Sequence, residues 1–194
     1  MSAVPKPIYN ADEYLSLEEG AEYRSQFYYG EIFAMPRASR RHNIASMNSA
    51  ASLHQQLRGK TCEVYQNDMR VKVSREFYTY PDIVIVCGEP QIEKKYGDNL
   101  LNPTVLIEVL SPTTEKFDRG DKFRPYRLMP SLKEYVLISQ DSVNIEHCVR
   151  QVDNSWLFSD AGDLDDIVKL PSIDCGLRLS DVYDKVDFTE GTVD

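Results

Sequence analysis

The sequence predicts an α/β or α+β domain in which helices flank a mixed central β-sheet. Segments with helical and strand-like patterns alternate along the chain, as they do in folds that layer helices on a sheet. The stretch "PTVLIEVLS", residues 103–111, is almost continuously apolar and indicates a strand buried on both faces. The 194 residues are 42% hydrophobic and 27% charged, which fits one globular domain, 1–194, with an acidic extension from about residue 160.

The first two elements are predicted to be a helix and a hairpin. In "NADEYLSLEEG", Asn10 is the expected N-cap, Glu13 completes a capping box and Gly20 ends the helix. The next segment, "AEYRSQFYYGEIFAMP", alternates in polarity on both sides of Gly30, which favours two strands joined by a turn there.

The remaining elements follow from periodicity and residue type. Apolar residues at near-helical spacing predict the longest helix from about Arg41 to Arg58. "CEVYQNDMRVKV" and "YTYPDIVIVCG" are rich in β-branched and aromatic residues and predict strands. A helical stretch is expected from Asp118 to Leu128, and then two strands in "KEYVLISQDSVNIEHCVRQ". "SWLFSD" is a candidate edge strand and "LSDVYDKV" a final short helix.

Charge is unevenly distributed along the chain. The net charge is −9, but residues 160–194 hold ten acids and three bases, so the first 159 residues carry only −2. Residues 37–60 contain five Lys or Arg, two His and no acid, and residues 116–127 contain five bases and two acids. Each basic segment is either a phosphate-facing patch or an ordinary solvated face.

Several classes of protein are excluded by missing signals. No run of about 18 apolar residues is present, so no membrane span is expected. The N-terminus lacks the apolar core of a signal peptide, which favours a cytoplasmic location. P-loop, G-x-S-x-G and H-E-x-x-H motifs are also missing.

The four cysteines are scattered singly, with neither a C-x-x-C pair nor a histidine at zinc-finger spacing. They are therefore expected to be structural thiols rather than zinc ligands. They are Cys62, Cys87, Cys148 and Cys175.

Two acids on predicted buried strands are the strongest chemical signal. A buried carboxylate requires a partner, and Glu108 lies in the middle of an apolar strand. Adjacent strands lie about 4.8 Å apart, so Asp82 and Glu108 at matching height could share one Mg²⁺. Alternatively, Asp82 is a turn residue after Pro81, and Glu108 pairs with a buried Arg or Lys.

A lysine follows at helical spacing. Asp118, Lys122 and Tyr126 are separated by four residues each, so on a helix they line one face. Lys122 could reach Glu108 and stabilise charge on a phosphate, or it could simply form an ion pair with Asp118.

The segments "YPDIVIV", "LIEVLSPTTEKFDRGDKFRPY" and "PSLKEYVLI" form a distinctive block, and "YYGEIFAMPRASRRHNIASMN" precedes it. From about Glu13 to Arg150, the chain resembles the Uma-two restriction endonuclease family of the PD-(D/E)XK nuclease superfamily. The resemblance implies a restriction-endonuclease-like core, with Asp82 and Glu108 as ligands of Mg²⁺ or Mn²⁺ and DNA as the partner.

The resemblance also implies further site residues. The superfamily pattern places a lysine two residues after the acid, where this chain has Leu110, so the lysine is expected to be relocated to Lys122. Glu31 matches an upstream catalytic acid, or else is a surface glutamate of the hairpin. His42 matches a family histidine that either touches the substrate or caps the long helix. Pro125 disfavours a regular helix around Lys122, which leaves Lys116 as the alternative lysine.

The predicted function is that of a Mg²⁺-dependent DNA endonuclease, with a homodimer expected because two sites cut two strands. Arginines of the two basic segments, together with His42, are expected to contact nucleic acid. They are Arg37, Arg40, Arg41, Arg119 and Arg124.

Two other functions are compatible with the same residues. One is a nuclease-like module that binds nucleic acid or protein without cleavage. The other is a two-carboxylate glycosidase, which would need no metal. The acidic extension is either a flexible tail or a segment that folds over the basic patch and limits non-specific DNA binding.

Overall fold

The computed structural model describes residues 7–189 and confirms a mixed α+β fold with helices on a mixed sheet. Residues 1–6, from the N-terminus that is predicted to lack a signal peptide, lie outside the described range. Residues 190–194 of the acidic extension lie outside it as well. The helices are α1 (Ala11–Glu19), α2 (Arg40–Leu57), α3 (Glu115–Phe117), α4 (Phe123–Tyr126) and α5 (Leu179–Val182), and a π-helical turn, Asp118–Lys122, joins α3 to α4.

The central sheet has six strands and mixed direction. β9 and β10 are parallel, and the other neighbours are antiparallel. In spatial order the strands are β12 (Trp156–Ala161), β11 (Ile145–Arg150), β10 (Glu134–Ser139), β9 (Val105–Leu110), β6 (Ile83–Cys87) and β3 (Cys62–Gln66).

A second six-stranded sheet is formed by shorter strands. The sequence does not predict it as a separate layer. Its strands, in spatial order, are β2 (Glu31–Ala34), β1 (Ser25–Tyr28), β5 (Phe77–Thr79), β4 (Arg70–Ser74), β8 (Asp98–Leu100) and β7 (Ile92–Lys94). A separate hairpin pairs β13 (Ile167–Leu170) with β14 (Cys175–Arg178).

Both faces of the central sheet are covered, which explains why β9 is buried at every position. On one face, Ile107 and Val109 share a core with α2 and the C-terminal hairpin. On the other face, Leu106 and Leu110 share a second core with the outer sheet and α4. Side chains along a strand alternate between faces, so Glu108 points towards the second core and not towards α2.

The N-terminal predictions are confirmed in detail. Asn10 Oδ1 accepts a hydrogen bond from the Glu13 amide at 3.0 Å, and Glu13 Oε2 accepts one from the Asn10 amide at 2.8 Å. The hairpin turn has positive φ at both Tyr29 (46°) and Gly30 (88°). This is the backbone that tight hairpins require, and glycine adopts it without strain.

Two predicted strands are each divided between the sheets. "CEVYQNDMRVKV" breaks into β3 and β4 at Asn67, whose φ is 63°. "YTYPDIVIVCG" breaks into β5 and β6 at Pro81, which has no amide to donate to a ladder. The Asn67 amide donates to the Asp82 carbonyl at 2.9 Å and ties the two breaks together. Asp82 therefore lies where the chain crosses from the outer sheet to the central sheet.

The described part of the acidic extension is folded. Val168, Leu177 and Val182 belong to the core beneath α2. Lys60 Nζ donates to the Asp174 carbonyl at 2.8 Å, which fixes the end of α2 to the β13–β14 turn. Within residues 160–189 the acids lie on the solvent side of these apolar contacts.

The expectation of four thiols is wrong for two of the cysteines. Cys62 and Cys87 form a disulfide between β3 and β6. They are direct partners in the antiparallel register, so their side chains meet on one face. Cys148 and Cys175 are free thiols, as predicted. Within residues 7–189, no helix combines the length and apolar character needed to cross a membrane.

Candidate active site

The two strand acids meet at one end of the β6–β9 pair. Ile83 is paired with Ile107 in the antiparallel register, so the preceding residue, Asp82, lies opposite Glu108. Asp82 Oδ2 accepts a hydrogen bond from the Val109 amide at 2.7 Å, which fixes its carboxylate against β9. The structure thus brings both acids to matching height on adjacent strands, as the sequence predicts.

Glu108 has two buried partners from the helical segment. Lys122 Nζ lies 2.7 Å from Glu108 Oε1, and the Tyr126 hydroxyl donates to the same oxygen at 3.1 Å. Lys122 also donates to Asp118 Oδ1 at 3.0 Å. The side chains of Glu108, Lys122 and Asp118 are all about 95% buried. The carboxylate in the middle of an apolar strand is therefore partnered by a lysine.

The helical segment is irregular where it delivers this lysine. The predicted helix from Asp118 to Leu128 is instead a π-helical turn followed by the single turn α4. Pro125 lies in α4, within the first turn, where a missing amide costs little. Carbonyls released by the wider π-helical turn find new donors, since the Tyr135 hydroxyl donates to the Asp118 carbonyl at 3.1 Å.

Of the two candidate lysines, the structure brings Lys122 to the carboxylates. Lys116 is exposed on α3 and does not line the site. Leu110, which occupies the superfamily's usual lysine position, is buried at 4% exposure in the second core. An ammonium at that position would enter an apolar environment with a large desolvation cost. Lys122 is equally buried, but its ion pairs with Glu108 and Asp118 offset this cost.

Burial is the largest single influence on the pKa values of Glu108 and Lys122. Removal from water raises the pKa of Glu108 to about 8; Lys122 lowers it in part, and Asp118 and Asp82 raise it further. Burial also opposes the charge of Lys122, but Glu108, Tyr126 and Asp118 outweigh it and raise the lysine pKa well above its usual value. Lys122 is therefore a permanent cation at neutral pH.

His42 contacts the second carboxylate from the start of α2. Its Nε2 lies 3.3 Å from Asp82 Oδ2. The N-cap of α2 is Ser39, whose hydroxyl accepts from the His42 amide at 3.1 Å, so the imidazole is not the cap. Burial lowers the pKa of His42, but the contact with Asp82 outweighs it and the net shift is upward. The buried Nδ1 has no hydrogen-bond partner among residues 7–189.

A cavity of about 540 Å³ opens above these groups. Asp82, Glu108, Asp118 and Lys122 all line it, and so does His42. Its walls come from the β1 region, the start of α2, the Asn67 turn and the loop that follows β9. Wall residues that sequence reasoning did not identify include Arg24, Gln26, Asn67, Asp68, Tyr80 and Phe117.

The sequence offered few signals for these wall residues. Tyr80 stands directly before the Pro81–Asp82 pair, and the polar Asn67–Asp68 pair interrupts a strand-like pattern. Each of these residues could have been identified from the sequence, because each stands where a strand-like segment is interrupted. Arg24 comes from the hairpin, which reaches the site only through pairing of the outer sheet.

The predicted phosphate-contacting arginines are dispersed. Arg37 lines the cavity, whereas Arg40 and Arg124 are exposed outside its lining. Arg41 lies 3.2 Å from Asp141, also outside the lining.

Two further predicted residues lie away from the carboxylates. Arg119 lies 2.8 Å from Glu115 and also contacts Glu146, outside the cavity. Glu31 is in the β1–β2 hairpin and does not line the cavity. Glu31, the predicted upstream acid, is paired with Tyr28 at the turn end of the hairpin, whereas the lining residues Arg24 and Gln26 lie at its open end.

The donor set fits a hard divalent cation with few protein ligands. Asp82 Oδ1 and Glu108 Oε2 accept no hydrogen bond from residues 7–189. No group of three or more His, Cys, Asp or Glu suited to a metal occurs in this range. Mg²⁺ is commonly held by one or two carboxylates together with waters and substrate phosphates, so two carboxylates are sufficient.

Comparisons with known proteins find a family model and relatives that match most of this chain. A family model described as "Putative restriction endonuclease" (Uma2) matches residues 11–181. The Synechocystis sp. (strain PCC 6803) protein slr1290 is 32% identical over 182 residues, which are 93% of this chain and 94% of that protein. The protein sll1609 of the same organism is 35% identical over 154 residues, 79% of this chain and 87% of that protein.

A solved structure shares the fold. It is described as "a putative nuclease belonging to DUF820" from Anabaena variabilis ATCC 29413, with a TM-score of 0.75 and 19% identity. The match covers 90% of this chain and 97% of that one. At this identity the likeness concerns the arrangement of helices and strands.

Proposed function

The chain belongs to the Uma2 family, described as "Putative restriction endonuclease", and on this premise we propose that it is a divalent-metal-dependent DNA endonuclease. A nuclease-like function is supported by the family and by the structural neighbour. The observation that carries the proposal is the position of Asp82 opposite Glu108, with Lys122 on Glu108, in one cavity.

Asp82 and Glu108 would hold the cation through the carboxylate oxygens that accept no hydrogen bond from residues 7–189, Asp82 Oδ1 and Glu108 Oε2. Mg²⁺ or Mn²⁺ bound there would polarise a phosphoryl oxygen and lower the pKa of a coordinated water. The Val109 amide fixes one carboxylate, and Lys122 with Tyr126 fixes the other. The chain thus presents both ligands in a set orientation before the cation arrives.

Lys122 would stabilise charge during phosphodiester hydrolysis. The water oxygen bonds to phosphorus while the bond from phosphorus to one sugar oxygen breaks. A proton of the water passes to solvent, and the leaving oxygen takes a proton from solvent. Because Lys122 remains protonated, it would act on this step as a fixed cation near the phosphoryl oxygens and not as a base.

His42 would keep Asp82 oriented. Its Nε2 lies on the same oxygen that the Val109 amide holds, and the other oxygen accepts no hydrogen bond from residues 7–189. Groups that orient a metal ligand in this way commonly affect activity by about 10–100-fold when removed.

The proposal is tested by incubating the protein with circular single-stranded DNA and with supercoiled plasmid, in Mg²⁺ or Mn²⁺. The expected result is metal-dependent linearisation or nicking that EDTA abolishes. Asp82→Asn should abolish it as well, whereas Asp165→Asn, an exposed loop carboxylate, should not. Absence of cleavage on both substrates by folded protein, or full activity of Asp82→Asn, would overturn the proposal.

A further inference from the structure

The depth of the carboxylates restricts which phosphodiester can reach them. The side chain of Glu108 is 5% exposed and that of Asp82 is 15% exposed. They lie at the bottom of a cavity of about 540 Å³, a size typical of sites that enclose one small molecule. Duplex DNA is stiff, with a persistence length of about 50 nm, so bringing one phosphate of an intact duplex into such a site requires a deformation that an unpaired strand does not need.

Two arginines near the cavity are already paired with acids. Arg24, in the lining, lies 3.5 Å from Asp68, and Arg41 at the start of α2 lies 3.2 Å from Asp141. Binding to duplex DNA depends on many Lys and Arg side chains that neutralise phosphates. A phosphate that approaches either arginine also meets its carboxylate. Arg37 is the lining arginine that has no ion pair within residues 7–189.

Two of the five bases in the second predicted basic segment are compensated in the same way. Arg119 contacts both Glu115 and Glu146. Lys122, from the same segment, is buried between Glu108 and Asp118. A duplex phosphate that approaches either of these bases meets a carboxylate as well.

The cavity walls carry groups suited to an exposed base. Phe117 is half-buried in the lining and offers a ring for stacking. Gln26, Asn43 and Asn67 add amide side chains to the same lining. Bases outside a helix are bound by aromatic stacking and by hydrogen bonds to their edges, which paired bases cannot offer in full.

From these observations we propose that the site acts on unpaired DNA, as a single strand or as an extruded nucleotide, in preference to intact duplex. This inference rests on the proposed function and specifies its substrate class. One nucleotide would enter the cavity, its phosphate would meet the two carboxylates, and Arg37 would hold a neighbouring phosphate at the mouth.

The test compares one fluorescein-labelled oligonucleotide alone and annealed to its complement. Initial cleavage rates are measured in Mg²⁺ at equal strand concentration, with Asp82→Asn protein as the control for contaminating nuclease. The single strand should be cut roughly ten-fold faster or more, because a paired nucleotide must first be unstacked and unpaired. Equal rates, or faster cleavage of the duplex, would overturn the inference and leave the proposed function intact. Cleavage of neither would overturn both.

A binding measurement separates affinity from turnover. Asp82→Asn protein is titrated with each labelled DNA in Mg²⁺, and fluorescence anisotropy is followed at several salt concentrations. The single strand should bind roughly ten-fold tighter or more, with a shallow salt dependence, because few phosphates are contacted. Tighter binding of the duplex with a steep salt dependence would contradict the inference. Arg37→Gln should weaken single-strand binding, whereas Arg75→Gln, exposed between β4 and β5, should not.

Discussion

Lys122 Nζ lies 2.7 Å from Glu108 Oε1, although the glutamate belongs to a central strand and the lysine to an irregular helix. Both side chains are about 95% buried, so each provides the other's charge compensation within the protein. Breaking one side of a buried pair leaves a costly unpaired charge. The effect of replacing either residue should therefore be large enough to measure.

Replacing Lys122 by Met should reduce DNA cleavage by about 10²–10³-fold, the usual effect of removing one group that stabilises transition-state charge. The measurement is the initial cleavage rate at saturating Mg²⁺. The matched control is Lys116→Met, which removes an exposed lysine from α3 and should leave the rate unchanged. The opposite order of effects would assign the lysine role to Lys116.

A lysine introduced at the superfamily's usual position, residue 110, should destabilise the fold. Leu110→Lys places an ammonium in the second core beside Tyr126, and we expect a loss of about 2–5 kcal/mol in the free energy of unfolding. Urea unfolding followed by circular dichroism measures it. Leu110→Met, of similar volume, should cost less than about 1.5 kcal/mol. A stable Leu110→Lys protein would show that this position has access to water.

His42→Ala should weaken the response to Mg²⁺ while sparing the fold. Loss of a group that orients a metal ligand costs about 10–100-fold in affinity or activity, so the Mg²⁺ concentration for half-maximal cleavage should rise. His54→Ala, on the exposed face of α2, is the control. An unchanged Mg²⁺ dependence in His42→Ala would remove His42 from the site.

The metal-free protein should lose stability as pH rises from about 5 to 8. Burial raises the pKa of Glu108 from 4.5 to about 8, so in this window the folded chain binds the proton more tightly than the unfolded chain. A group with a raised folded-state pKa adds stability at low pH that is lost as pH rises, by at most about 1.4 kcal/mol per pH unit. Thermal unfolding in EDTA measures the slope. Glu108→Gln should flatten it, and an unchanged slope would assign it to other groups.

Reduction of the disulfide between β3 and β6 should destabilise the protein. The Cys62–Cys87 disulfide joins strands β3 and β6 across a sequence separation of 25 residues, for which loss of the cross-link costs about 3 kcal/mol in the loop-entropy description. The melting temperature with and without dithiothreitol measures it. In Cys62→Ala with Cys87→Ala, the reductant should have no effect. A reductant-sensitive double variant would point to the free thiols instead.

The sequence predicts those parts of the site that depend on local residue patterns. Glu108 interrupts an apolar strand, and Asp118, Lys122 and Tyr126 repeat at helical spacing, so their meeting could be expected. Non-local pairing was not predictable in the same way. Arg24 reaches the cavity because the strand that follows it, β1, pairs with β5, which is distant in the sequence.

Register explains the remaining differences. The partnership of Cys62 with Cys87 depends on how β3 aligns with β6, and residue spacing does not encode that alignment. Glu31 matches an expected position in sequence, yet the register of its hairpin places it at the turn end, away from the lining residues Arg24 and Gln26. The strands of the hairpins β7–β8 and β13–β14 have only three or four residues each, too few for the alternation that marks longer strands.

The π-helical turn makes the position of Lys122 sensitive to the loss of one residue. Such a turn accommodates one residue more than an α-helical turn. Removal of one residue there would restore α-helical geometry and rotate the residues on one side of the deletion by about 100° relative to those on the other. Lys122 would then separate from Glu108 or from Asp118 while the strands kept their register. One deletion in this turn should therefore withdraw Lys122 from its two acids and preserve the fold, which ties the proposed role of this lysine to the length of a single helical turn.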